Sequence, residues 1–292
     1  MLRRVIVGML FVWVMFSLAF GVSIRYWDIH MDQGIGPAAK GVWGIYNNPA
    51  VLSLEEQWHF GAFANVAEDS AGMAHSVFGI ALLQPFQNGF AGSLDLLYGK
   101  LDDPLSHNRF ASFGYAVAGK VERLGWGARL VTGFFDNDAE NSFYASANFG
   151  LLYQLFSSSY VLVNFNAPQI ITSNKDLYDI NQPETFSGGM GILSTSGSSR
   201  AYLGAVTYSD DQNPYFALMM GGGVKMAFLN WDLAMVASNL SLGQQLEDAM
   251  VSFKVTGLFD FENFSVGVGG DFPLSGDSFG KNQYHAFVQA KW

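Results

Sequence analysis

Seven charged residues sit between apolar neighbours of opposite parity: Asp95, Arg129, Lys225, Asp232, Lys254, Asp271 and Lys291. In an extended strand, alternate residues share a face. If the other face meets lipid, a charge must turn away from it, because Arg or Lys at mid-bilayer costs up to about 2–4 kcal/mol. Turned inward, the seven charges either brace the interior as ion pairs or form a polar constriction that selects a solute. Signals for catalysis are weaker. Gly276-Asp277-Ser278 with His285 has the residue types of a serine hydrolase but lacks the strand–turn–helix setting of a nucleophile elbow. The acidic run Asp136-Asn137-Asp138-Ala139-Glu140 lacks the turn glycine and terminal glutamate of a calcium loop. The five histidines show no metal-ligand spacing, and no phosphate-cradling loop occurs. No enzyme activity, metal or cofactor is expected.

The elements that would position these charges are strands. From residue 57 to 292 the chain reads as about 14 alternating segments of roughly 10 residues, from one centred near Phe63 to one near Val288. Their connections alternate in length. One set is short (86–89, 120–124, 156–159, 197–199, 228–230, 260–263), and Asn88-Gly89 in the first suits a type I′ hairpin. The other set is longer and more acidic (101–108, 135–141, 167–184, 242–248, 274–282). Short turns on one side and long loops on the other, with an even strand count, predict an all-β, transmembrane antiparallel β-barrel of the bacterial outer membrane.

Aromatics support this reading. Phe86, Phe90, Trp126, Phe228, Trp231, Phe259, Phe261, Phe264 and Trp292 lie beside the short turns or at the last residue. They are expected to form an inner girdle at the headgroup level. Tyr98, Phe134, Tyr208, Tyr215, Phe272 and Tyr284 would form the outer one. In the last ten residues Tyr284, Ala286, Val288, Ala290 and Trp292 share one face, which reads as the strand that closes the barrel. If the Asn88-Gly89 hairpin is tight, Asp95 lies opposite Leu82. Phe78, Ile80 and Leu82 would then point inward as an apolar stripe, an inference that a one-residue slip would erase.

Composition agrees. Hydrophobic residues make up 50% and charged residues 14%, with 33 Gly and 26 Phe. These values favour a membrane barrel, and a large soluble sandwich or propeller is the alternative. A net charge of −10 argues against nucleic acid. Arg3 and Arg4 followed by the apolar run 5–20 read as a signal peptide spanning 1–21, cleaved after Gly21. No cysteine is present for a disulfide or a lipid anchor.

Residues 22–56 read as neither signal nor strand. The small, turn-rich stretch 34–44 leads into Tyr46-Asn47-Asn48-Pro49-Ala50-Val51-Leu52. Here the chain resembles the FadL/PorV-like superfamily of outer-membrane proteins, which carry a Gly/Ala-rich segment and an Asn-Pro-Ala-Gly-Leu box before their first strand. Asn48, Pro49 and Ala50 match the box, Leu52 keeps its leucine, and Val51 replaces the glycine. The family's Ala-Asp-Asp-Ala element is missing. The resemblance implies that 22–56 is a lumenal plug, with Asn48-Pro49-Ala50 as a tight turn in it. It also implies passive uptake of small, hydrophobic molecules, captured at the external loops and admitted by displacement of the plug. A docking or anchoring role for envelope or secreted proteins is the alternative, and an open general porin the third reading. Outer-membrane lipid is the expected surround.

Overall fold

The computed structural model describes residues 42–68, 74–103, 106–136, 141–173, 187–210, 213–240, 250–275 and 283–292. The expected signal segment, residues 22–41, most of the acidic run after Asp136, and Gly276-Asp277-Ser278 lie outside the described residues. So do the side chains of Tyr208 and Tyr215.

Among the described residues, two short 3-10 helices, Val42–Tyr46 and Pro49–Leu54, precede fourteen strands. These are β1 (His59–Glu68), β2 (Ala74–Gln87), β3 (Phe90–Asp103), β4 (Ser106–Val121), β5 (Leu124–Asp136), β6 (Asn141–Phe156) and β7 (Ser159–Thr172). They continue as β8 (Ser187–Ser196), β9 (Ser199–Asp210), β10 (Asn213–Met226), β11 (Leu229–Leu240), β12 (Met250–Asp260), β13 (Phe264–Ser275) and β14 (Gln283–Lys291). Each strand pairs with its sequence neighbours, and β1 pairs antiparallel with β14, so the sheet is a closed barrel. At the seam Trp58 and Trp292 exchange backbone bonds of 3.1 and 3.2 Å. Closure leaves no free edge, which is what lipid demands of a sheet.

The alternation reads directly in β5. Leu124, Trp126, Leu130 and Phe134 are exposed, while Gly125, Gly127, Arg129, Val131, Gly133 and Phe135 are buried. Phe60, Leu96, Phe113, Phe149, Leu203, Leu218, Leu233 and Val288 continue the exposed apolar face across other strands. An apolar belt of this extent is foreign to a water-facing surface and matches a bilayer-facing one. Both expected girdles are present where their side chains are described, with one exception.

The exception is Phe86, which packs against the interior because β2 and β3 shift register between Gln84 and Gln87. The same shift corrects the predicted apolar stripe. Asp95 pairs with Ala81 rather than Leu82, so Phe78, Ile80 and Leu82 are exposed on the outer wall. Strands also run further into the long connections than expected. β7 continues to Thr172, and the β3–β4 connection shrinks to residues 104–105.

Candidate functional site

The lumen holds the segment that carries the Asn-Pro-Ala box. Asn48 caps the second 3-10 helix, its Oδ1 accepting from the backbone N–H of Ala50 at 3.0 Å, and Pro49 opens that helix. The cap is a local preference: Asn supplies the acceptor, and Pro needs no N–H partner in the first turn. Its seat is supplied by the barrel. The Asn48 Nδ2 donates to the carbonyls of Val163 (3.2 Å) and Leu151 (3.4 Å), bridging β6 and β7. In return, two wall amides hold the preceding turn. Asn148 donates to the Tyr46 carbonyl at 3.1 Å, and Asn164 to the Asn47 carbonyl at 2.8 Å.

Two wall glycines make the approach close enough. A Cβ on Gly150 would lie 1.9 Å from Asn48 Oδ1, and one on Gly127 would lie 2.4 Å from the Pro49 carbonyl carbon. Any side chain at either position would lift the box off the wall. Val51, in place of the family's glycine, is fully buried among Leu152, Leu162 and other interior residues. The charge pattern did not reveal Asn148 and Asn164. The parity rule applied to the charges extends to them, since each lies between apolar neighbours (Ala147 and Phe149, Val163 and Phe165).

All seven predicted charges lie on the interior parity of their strands, and the structure groups them unevenly. Asp95 and Arg129 form a buried two-point pair, with Nη2 2.6 Å from Oδ1 and Nε 3.0 Å from Oδ2. They stand on β3 and β5 and meet across β4, where a Cβ on Gly114 would come 2.3 Å from the Asp95 carboxylate. Arg129 also lies 4.7 Å beneath the ring of Tyr46, so the docked segment stacks on the pair.

Asp232 is held by two residues outside the seven. It accepts from Arg200 Nε and from the Tyr202 hydroxyl, each at 2.6 Å. Here too the pair spans a strand over a glycine, with Gly223 in register between Arg200 and Asp232. Lys254 bonds Asp271 on the adjacent strand. Lys225 and Lys291 converge on Asp260 at 2.9 and 2.7 Å, with Ser265 as a third donor, at the short-turn end. Arg200, Tyr202 and Asp260 were missed. All three lie at or near the short turns, where polar residues pass for turn formers.

The aromatic part of the interior is concentrated on one side. Towards the long-loop ends of β1–β6 the inner face carries Phe63, Val77, Leu97, Phe110, Phe135 and Tyr144, joined by Phe287 from β14. Trp43 of the docked segment meets Phe63 edge-on at 4.9 Å, and Tyr46 meets it at 6.2 Å. An apolar inner wall therefore exists, one residue out of step with the predicted stripe. The inner face of β9–β14 is mixed: Val206, Met219 and Val236 are buried there as well, beside the Arg200–Asp232–Tyr202 and Lys254–Asp271 groups and a Thr256–His285 contact of 3.1 Å.

No protein-family model matches the chain, and no curated protein matches it. Solved structures do match. The CymD monoaromatic hydrocarbon channel superposes with a TM-score of 0.68 at 12% identity, over 88% of this chain and 97% of that one. A TodX monoaromatic hydrocarbon channel mutant gives 0.64 at 12% identity, over 94% and 99%. A Pseudomonas aeruginosa FadL homologue gives 0.59 at 9% identity, over 94% and 99%. The chain has the fold of the FadL-type outer-membrane barrels.

Proposed function

We propose that this barrel is an outer-membrane channel for passive entry of small hydrophobic molecules. The observation that carries the reading is the apolar, aromatic inner wall of β1–β6, which runs from the long-loop side down to Trp43 and Tyr46 of the docked segment. Apolar lining favours a hydrophobic solute over a hydrated one by removing its surface from water. The docked segment occupies the lumen beside that wall, so passage requires Trp43–Tyr46 to shift. A widely open porin would carry no such obstruction. The named neighbours are hydrocarbon channels or a FadL homologue, which supports the same class of solute.

The test uses cells whose outer leaflet slows hydrophobic solutes. Uptake of a radiolabelled monoaromatic hydrocarbon is expected to rise several-fold on expression of the full chain and to fall back with Leu97→Asp. A hydrophilic sugar of similar size should be unaffected. Equal gains for both solutes would mark a general porin, and no gain for either would sink the transport reading.

A further inference from the structure

The indole of Trp43 is buried, at 4% exposure, yet its Nε1–H finds no acceptor among the described residues. A buried donor left unpaired costs free energy and calls for an explanation. The contacts the indole does make are with rings and bare backbone. Its six-membered ring lies on Gly61 of β1, where a Cβ would come 2.6 Å from Cζ2 and 2.9 Å from Cη2. Gly61 pairs in register with the buried Ala81, so the wall there carries only a hydrogen and a methyl group. Phe63 meets the indole edge-on, with centroids 4.9 Å apart and planes at 83°. Tyr46 lies nearly parallel to it, at 6.3 Å and 8°. Together these surfaces make a slot for a flat, two-ring group.

Trp43 is held differently from the residues that follow it. Among the described residues, the segment's hydrogen bonds to wall side chains begin at Tyr46, whose carbonyl accepts from Asn148, and continue at Asn47, whose carbonyl accepts from Asn164. Asn48 then donates to the wall carbonyls of Val163 and Leu151. Trp43 rests on ring contacts alone, and its unpaired N–H offsets part of what they contribute. It is therefore free to leave its slot while Tyr46, tied by its carbonyl and stacked on Arg129, stays as one face of it. Aromatic pairs favour edge-on or offset-parallel contact, and the slot offers a partner for each.

We infer that this slot is the seat of the solute, that it takes a planar, fused two-ring hydrocarbon, and that Trp43 is the solute's tethered competitor. The shape follows from the indole that fills the slot now. The chemistry follows from Nε1: with no acceptor facing it, a ring system of the same outline built from C–H groups makes the same contacts without burying a donor. A single ring leaves part of the slot unfilled and forfeits contacts there. A saturated bicycle is not flat and has no π face to set against Phe63 or Tyr46. The inference rests on the channel reading for what the slot serves, and on the geometry alone for what it binds.

The experiment is equilibrium dialysis of radiolabelled naphthalene against the full chain refolded in detergent micelles, with empty micelles as the reference for partition. Heat-modifiable migration confirms folding of every variant. The wild type should bind naphthalene saturably. Trp43→Ala removes the competitor and should raise the apparent affinity roughly tenfold, since binding no longer waits for the indole to leave. Adding Gly61→Val to Trp43→Ala fills the floor of the slot and should reverse the gain. Trp126→Ala, on the outer wall, is the control and should change nothing. After correction for partition, indole, benzene and decalin should each compete roughly tenfold less well than unlabelled naphthalene. No saturable binding to the wild type overturns the slot. So does an affinity that Trp43→Ala leaves unchanged or lowers, or a gain that survives Gly61→Val. Benzene or decalin equal to naphthalene overturns the fused-ring assignment, and indole equal to it overturns the hydrocarbon one. Binding of the expected pattern without cellular uptake sinks the channel reading and upholds the slot, whereas uptake without binding does the reverse.

Discussion

The two halves of the barrel wall solve the same problem in different ways. On β1–β7 the interior is filled by the chain itself. The Asn48 box is held by wall amides, and Trp43 and Tyr46 lie on aromatic and cationic wall residues. On β9–β14 wall side chains bond one another, Arg200 and Tyr202 with Asp232, Lys254 with Asp271, and Thr256 with His285. Both halves lay an ion pair across a strand over a glycine, Asp95–Arg129 past Gly114 and Arg200–Asp232 past Gly223. The first lies under the ring of Tyr46. The lesson is that a charge turned away from lipid acquires a function through what is seated on it, and a brace and a plug support can be built from the same residue types.

Removing one member of a buried pair tests this most strongly. Arg129→Ala and Lys254→Ala should each destabilise the barrel by about 3–5 kcal/mol, since each leaves a carboxylate without its bonded cation. Denaturant titration in lipid vesicles measures this loss. The halves should differ in a second readout: limited proteolysis should release the segment around residues 42–54 in the Arg129 variant and not in the Lys254 variant. Release in both variants, or in neither, would erase the distinction between supporting and bracing pairs.

Gly150→Val sharpens the comparison without touching a charge. The new side chain displaces Asn48, with an overpacking penalty of about 1–3 kcal/mol. The barrel should still migrate as a folded, heat-modifiable species while planar-bilayer recordings change from rare, brief openings to long-lived ones. Unchanged recordings would show that the box is not what closes the lumen. Smaller still, Asn148→Ala or Asn164→Ala should each remove one bond to a plug carbonyl, about 1 kcal/mol, and raise the opening frequency only modestly. The weakest effect belongs to the rim. Lys225→Gln should cost at most about 1 kcal/mol, because Lys225 is half exposed and Asp260 keeps Lys291 and Ser265. A larger loss in vesicle unfolding would mean that the rim is part of the brace.

Local chemistry made much of this legible. Gly89 follows Asn88, both have positive φ, and the hairpin forms where that pair predicts it. Asn48-Pro49 capped a helix because Asn accepts from the second N–H beyond it, whatever the surroundings. The inward turn of Asp95 or Lys254 was equally readable, since a charge between two lipid-facing neighbours has one low-energy direction. Phe78 shows where local reading stops. Its direction depended on a register shift near Gln84 that no composition signals, and a shift of one residue moves a whole strand's side chains to the other face. Arg200 and Asp260 were passed over for a related reason: near a turn, parity relative to lipid carries little penalty, so their direction is set by partners on distant strands.

By itself, then, the amino-acid sequence determined a closed, outer-membrane-type barrel of fourteen strands, its two ends, and the side of the wall on which its charges lie. These follow from hydropathy, turn chemistry and the cost of charge in lipid, all of which act on neighbouring residues. The tertiary structure alone decided which charge meets which, that the aromatic inner wall uses Phe63 and Phe110 rather than Phe78 and Ile80, and that Gly127, Gly150, Asn148 and Asn164 make the seat of the box. Those outcomes depend on the stagger between strands far apart in the chain, and stagger is fixed only when the barrel closes.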